Sequence, residues 1–264
     1  MQNIKMIIFD VDGTLYDLVN DEVPKSTKDA LKELKTKGIK FSVATGRAHY
    51  ALGKTINDLN PDYIISCNGG TISDNQKIIK ANHFTLEDTI SLINFTNKYD
   101  GGLLFKFDDK MHIYKNFNKI SWIKNQMNSD VGKEPFIFND NMDRHLKSLP
   151  LAACLHTDEV KVKDELETNT NLSFIKYTKD EFDVINKGIN KSIGLKMLLE
   201  YLDLNHDEVI CFGDNYNDLE MLKAVKYSIA MGNAIQEIKD ISYYTTDASN
   251  HDGIYKALKH FEII

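Results

Sequence analysis

Ile7-Ile8-Phe9-Asp10-Val11-Asp12-Gly13-Thr14-Leu15-Tyr16 is the stretch from which the rest of the chain can be read. Met6 and three further apolar residues run straight into two aspartates one residue apart. The run reads as a buried strand, and Gly13-Thr14 lets the backbone turn at its end. Carboxylates at the end of a buried strand are costly unless a cation pairs with them. The string therefore suggests a metal site. A strand that simply ends in a polar turn explains it equally well, so the remaining sequence has to discriminate.

Working outward, the same design recurs. Phe41-Ser42-Val43-Ala44 is strand-like and stops at Thr45-Gly46-Arg47, and Tyr63-Ile64-Ile65-Ser66-Cys67 stops at Asn68-Gly69-Gly70. Helical patterns lie between, one starting at a Ser26-Thr27-Lys28-Asp29 capping box and one through roughly Leu52 to Leu59. Far downstream, residues 208–212 form another buried run that ends in Gly213-Asp214-Asn215-Tyr216-Asn217-Asp218, and Tyr227 to Ala230 is closed by Met231-Gly232-Asn233-Ala234. Strands alternating with helices predict a parallel sheet, where ligands bind beyond the carboxyl ends of the strands. Between these halves the pattern changes. Leu103–Phe107 and Met111–Lys115 read as a hairpin, and Lys119 to Met127 and Val160 to Thr168 as helices. The expected fold is α/β: a Rossmann-like, doubly wound parallel sheet core from residues 1–81 and 186–264, with a smaller α+β domain, 82–185, inserted into it.

The totals narrow the function. The chain has 264 residues, 42% hydrophobic and 27% charged, enough for a sizeable core. Its formal net charge of -7 argues against general binding to nucleic acid or a membrane surface. An anionic substrate remains compatible if a metal or local Lys and Arg offset the charge. Cys67, Cys154 and Cys211 sit in apolar runs without metal-ligand spacing and read as buried thiols of a reducing compartment. No signal-peptide core follows Met1, and no apolar run approaches the roughly 20 residues that cross a bilayer, so a cytoplasmic location is expected.

Several residues could carry chemistry. Asp214 ends a buried strand as Asp10 does, and the two can meet at the switch point of the sheet. Carboxylates with a backbone oxygen and water make a hard oxygen site that suits Mg2+. Asn217 and Asp218 stand about a helical turn beyond. Thr45 and the amides after it form either a phosphate site or a plain helix cap. Arg47 is a phosphate clamp or a surface cation. Lys191 lies just inside a helix start, where the macrodipole disfavours a cation, and so points to a functional role.

Together these strings resemble the haloacid-dehalogenase-like hydrolase superfamily. Asp10-Val11-Asp12-Gly13-Thr14 matches its first motif, Thr45 in Ala44-Thr45-Gly46-Arg47 the second, Lys191 the third, and Gly213-Asp214-Asn215-Tyr216-Asn217-Asp218 the fourth. The insert after Asn68-Gly69-Gly70, the Ala230-Met231-Gly232-Asn233-Ala234 string and Asp252-Gly253 look like the Cof-like sugar-phosphate phosphatases. The resemblance implies an enzyme acting on a small phosphorylated metabolite. It implies Asp10 as nucleophile, Asp12 as general acid/base, and Mg2+ on Asp10, the Asp12 backbone carbonyl and Asp214. It also implies Thr45, Gly46, Lys191 and Asn217 as holders of the phosphoryl group, with Asp218 orienting Lys191 or a metal-bound water. One departure is Asn215, where many relatives have glycine.

Two alternatives stay open on the sequence. One is a phosphotransferase or phosphomutase that passes the phosphoryl group to a sugar. The other is a sugar-phosphate-binding regulator without turnover. The resemblance assigns substrate choice to the insert as a cap, where Lys106, Asp108, His112 and Tyr114 around the hairpin are candidates.

Overall fold

The computed structural model describes residues 3–74, 77–121, 135–138, 141–176 and 178–264. In chain order, β1 is Met6–Asp10, α1 Lys25–Thr36, β2 Lys40–Ala44, β3 Tyr63–Ser66, β4 Thr71–Asp74 and β5 Lys77–Ala81. There follow α2 (Leu86–Tyr99), β6 (Gly102–Lys106), β7 (Met111–Lys115), β8 (Phe136–Phe138), β9 (Ala152–His156), β10 (Leu172–Lys176) and β11 (Glu181–Asn186). The chain ends with α3 (Lys191–Leu202), β12 (Val209–Gly213), α4 (Leu219–Lys223), β13 (Tyr227–Ala230), β14 (Tyr244–Thr245) and α5 (Gly253–His260).

Two compact units result. The first comprises Met1–His49, Lys54–Lys80 and Asn190–Ile264, and the second Tyr50–Gly53 and Ala81–Ile189. The first holds an eight-stranded sheet in the order β14-β13-β12-β1-β2-β3-β4-β5, parallel from β14 to β3, with β4 antiparallel to β3. This is the α/β, doubly wound arrangement expected. All five residues of β1 are buried because β1 is central and covered on both faces. Met6 and Ile8 face a core with Leu195, Leu198 and Leu199 of α3 and Met221 of α4. The Phe9 ring packs on Phe212 and edge-on to Phe41 on the opposite side, the side of α1, which packs on β2 and α5. Each such side chain stabilises the fold by roughly 1.5–3 kcal/mol through burial.

Two local expectations need correction. α1 starts two residues earlier than that capping box implies, at Lys25, with Pro24 as its N-cap and no side-chain cap. Pro24 has φ -56°, which is pre-set for a chain entering a helix. Ser26 is thus inside the helix, and its hydroxyl donates to Asp252 instead of capping. The helix expected from Leu52 to Leu59 shrinks to one turn, Lys54–Asn57.

The second unit is a six-stranded sheet, β10-β11-β9-β6-β7-β8, antiparallel except where β8 joins β7. Leu103 and Phe105 of β6 and Leu92 and Phe95 of α2 form its apolar core. The expected helix from Lys119 to Met127 falls mostly outside the described residues. Among those described, no helix is long and apolar enough to cross a membrane.

Of the four hairpin residues singled out, Lys106, His112 and Tyr114 are buried. The Tyr114 hydroxyl accepts from the His145 amide at 2.9 Å, and burial pushes its pKa up to about 12. Asp108 is paired with His83 at 2.8 Å. Lys106 lies on the opposite face of β6 from Phe105 and is paired with Asp183 at 3.1 Å. His112 is buried edge-on to Phe107, and neither ring nitrogen has a hydrogen-bond partner. Burial, helped by Arg144, holds its pKa below the usual histidine value. Below about pH 6.5 the unfolded chain takes up a proton that this site resists, so the histidine costs stability as the pH falls. Replacing His112 with Phe should raise stability at pH 7.5 by about 1–2 kcal/mol through removal of unpaired polar atoms. It should also flatten the loss between pH 6.5 and 5. Urea unfolding at the two pH values checks this, and an unchanged acid slope would refute it.

Candidate active site

The parallel register brings the polar strand ends to one edge. Asp10 pairs with Ala44, which places Thr45 one residue beyond on the neighbouring strand. Phe9 pairs with Phe212 on the other side, so Asp214 stands just past the level of Asp10. Ala44 pairs with Ile65, so the loop after β3 starts at the same edge. The first, second and fourth strings thus meet without any side chain having to reach far.

Lys191 supplies the third. Asn190 caps α3 by accepting from the amides of Ser192 and Ile193 at 2.9 and 3.2 Å. The next residue, Lys191, is wholly buried. Its Nζ donates to Oδ1 of Asp10 and, at 2.6 Å, to Oδ1 of Asp218. Burial opposes the charge on Lys191, but Asp10 and Asp218 outweigh it and hold the ammonium above the usual lysine value. The other oxygen of Asp218 accepts from the amides of Asp214 and Asn215 at 3.0 and 3.1 Å. Asp218 is therefore fully engaged by the protein. A methyl group on Gly213 would lie 2.7 Å from its Cβ, so glycine is what lets the turn close this tightly.

Ligand atoms of Asp10, Asp214 and Asp218 lie within 4.8 Å of one another. With Lys191 as the ammonium between them, two negative charges remain in excess. Burial first, then Asp218, raises Asp10 well above the ordinary carboxylate range, and the same two causes push Asp214 up to about 6. Thr14 holds one oxygen of Asp214 at 2.8 Å. Gly13, at φ +94°, makes room for the other, since a Cβ there would sit 2.4 Å from Asp214 Oδ2. The Asn233 amide fastens the Gly13 carbonyl at 2.8 Å. Among the described residues no protein donor reaches the Asp12 carbonyl. An all-oxygen donor set with excess negative charge fits a hard divalent cation. Both oxygens of Asp218 already accept hydrogen bonds from the protein, from Lys191 on one side and from the Asp214 and Asn215 amides on the other.

Asp12 turns its side chain to Arg47, whose Nη2 and Nε donate to its two oxygens at 2.6 and 3.2 Å. Arg47 thus forms a fork on the second aspartate. Thr45 is buried, and its hydroxyl accepts from the Arg47 amide at 3.1 Å, a local turn that supports the loop. Asn217 is tied through its amide to Asn68 at 3.3 Å. Sequence reasoning passed over Thr14, Asn68 and Asn233. Asn233 lies in a polar string after β13, so the strand-end pattern itself was its signal. Thr14 stands in the first motif and Asn68 at a polar strand end, but neither has a signal of its own for the contact it makes.

A strand-end aspartate paired with a buried lysine, beside two further carboxylates, is an arrangement that can hold a divalent cation and an anionic group together. The family of haloacid dehalogenase-like hydrolases matches residues 7–258. The chain belongs to the haloacid dehalogenase-like hydrolases. Within this family it is similar to the Bacillus subtilis 5-amino-6-(5-phospho-D-ribitylamino)uracil phosphatase YcsE, 27% identical over 268 residues, 98% of this chain and 96% of the relative. Its fold matches BT1666 of Bacteroides thetaiotaomicron, a phosphatase of the haloalkanoate superfamily, with a TM-score of 0.85, 27% identity, and coverage of 99% and 96% of the two chains. It also matches the subclass IIB sugar phosphatase BT4131, with a TM-score of 0.83, 25% identity, and coverage of 98% and 100%. This hydrolase is a phosphatase, and phosphatases of the family generally use a divalent metal.

Proposed function

We propose that this phosphatase hydrolyses small phosphorylated metabolites, sugar and polyol phosphates foremost, with Mg2+ and through an aspartyl-phosphate on Asp10. The observation that carries the reading is the buried Asp10–Lys191–Asp218 chain beside Asp214. Two relatives support the substrate class, one named for a phosphoribityl compound and one as a sugar phosphatase.

Mg2+ held by Asp10, Asp214 and the Asp12 carbonyl would neutralise the nucleophile and the phosphoryl oxygens. The remaining chemistry belongs to the chain. Asp10 attacks phosphorus as the bond to the leaving oxygen breaks. Asp12 gives a proton to that oxygen, for which one of its oxygens has to leave the Arg47 fork. In the second half Asp12 takes a proton from water as the water attacks the aspartyl-phosphate, and Asp10 departs as carboxylate. Thr45, the Gly46 amide, Lys191 and Asn217 hold the three transferring oxygens. Lys191, fixed in advance by Asp10 and Asp218, needs no rearrangement to do so.

The test is phosphate release from p-nitrophenyl phosphate and from a panel of sugar phosphates, with Mg2+ and with EDTA. Wild type should release phosphate only with the metal, and Asp10→Asn should reduce release at least about 10³-fold. Wild type no better than Asp10→Asn on every substrate would sink the reading.

A further inference from the structure

The loop joining β3 to β4 has an unusual backbone. Cys67, Asn68 and Gly69 all have positive φ, at 51°, 52° and 97°. Left-handed backbone costs a non-glycine residue of the order of 1 kcal/mol, least for asparagine. Two such residues in a row call for a compensating interaction.

The loop touches three of the four strings that form the site. The Cys67 and Asn68 amides donate to the carbonyls of Arg47 and Thr45, each at 2.9 Å. Gly69 lies so close to the start of α3 that a Cβ there would be 1.9 Å from the Asn190 carbonyl oxygen, one residue before Lys191. The Asn68 side chain is itself only 4% exposed. Its Oδ1 accepts from Nδ2 of Asn217 at 3.3 Å, and its carboxamide lies against Gly46, where an added Cβ would be 3.1 Å from Nδ2.

Two consequences follow from elementary geometry. The Thr45 carbonyl and the Gly46 amide belong to one planar trans peptide and point in opposite directions. Tying that carbonyl to Asn68 therefore sets where the Gly46 N–H points. The Asn217 amide can present either its NH2 or its oxygen to a phosphoryl group, and only NH2 attracts one. With Asn68 Oδ1 taking one of the two N–H bonds, the second hydrogen of the same NH2 stays available and the flipped orientation is disfavoured.

We propose that Asn68 is a positioning residue of the phosphoryl site, its carboxamide locking the donor orientation of Asn217, while its backbone amide, which any residue would supply, sets the Gly46 peptide. This rests on the phosphatase reading above and extends it to a residue outside the four strings. The alternative is that asparagine merely tolerates the left-handed turn.

Asn68→Gly separates the two, because glycine keeps the positive φ and removes only the carboxamide. Asn68→Gly, Asn217→Ala and the double variant are compared for kcat and KM, for thermal unfolding and for orthovanadate binding with Mg2+ by calorimetry. Asn68→Gly should unfold like wild type and lose about 10- to 100-fold in kcat/KM, mostly in kcat, with vanadate binding weakened in step. The double variant should be no worse than Asn217→Ala by more than about threefold, because the two act in series. Wild-type kinetics and vanadate affinity in Asn68→Gly would overturn the proposal, and so would losses that multiply in the double variant. If wild type turns over no substrate, the phosphatase reading fails and vanadate binding alone decides on Asn68. Absence of vanadate binding to wild type overturns both.

Discussion

Replacing Lys191 with methionine should lower kcat by about 10³-fold, the scale of losing one pre-set oxyanion donor. It should also destabilise the fold, by an amount that depends strongly on pH. Lys191 is wholly buried between Asp10 and Asp218, so methionine leaves two carboxylates facing each other without their cation. Breaking a buried pair in this way costs about 3–5 kcal/mol when the orphaned charge stays ionised. A proton can relieve it. Burial and Asp218 already raise Asp10 well above the ordinary carboxylate range, with Lys191 pulling the other way. Without Lys191 the folded-state value rises further. A carboxylate raised on folding leaves stability intact below its unfolded value, near pH 4, and takes it away as the pH rises through the folded value. Urea unfolding of Lys191→Met in EDTA should therefore show a small deficit at pH 5 and a large one at pH 8. Equal deficits would mean that Asp10 and Asp218 are not the groups Lys191 neutralises.

A divalent metal should act on the same imbalance from the other side. At pH 7.5, Mg2+ at 100 times its dissociation constant should add about 2.7 kcal/mol to the unfolding free energy. At pH 5 the increment should fall away. Asp214 is pushed up to about 6 by burial and by Asp218, and Asp10 is raised as well, so protons compete for the oxygens below that pH. Asp214→Asn should be more stable than wild type without metal above pH 6, because it removes a carboxylate whose ionisation the fold resists. It should show no metal increment and no turnover. Urea titrations of both proteins with MgCl2 or EDTA at the two pH values measure this. An Asp214→Asn variant that keeps the increment would place the metal elsewhere.

The legible parts of this chain are those whose signal is local. β1 is an apolar run ended by carboxylates, and the parallel register alone then carries Thr45 and Asp214 to the level of Asp10. Lys191 stood out because a cation at the first residue of a helix contradicts the macrodipole, and its burial against Asp10 and Asp218 explains the contradiction. What escaped depends on contacts between distant segments. Arg47 could be weighed as a clamp or a surface cation, but its partner Asp12 lies 35 residues away on a different strand end. The Thr14 hydroxyl meets Asp214 across 200 residues, and nothing in Gly13-Thr14 distinguishes that from an ordinary turn. The Ser26 cap failed for a different reason. Pro24 had already set the chain direction for a helix, so the serine fell within its first turn.

The order of β1 in the sheet bears on how the protein is made. Its two neighbours are β2, a short way on in the chain, and β12, whose Val209 sits opposite Met6. About 200 residues separate those partners, and a ribosome takes about 10–40 s to add them. Over that interval the fully buried strand β1 has one row of backbone groups with no native partner. The antiparallel insert is synthesised in the same interval, and its hairpin pairings are short-range. Synthesis therefore leaves the nascent core incomplete until its last quarter emerges. The carboxylate cluster, which includes Asp214, comes into being only at the end of that wait.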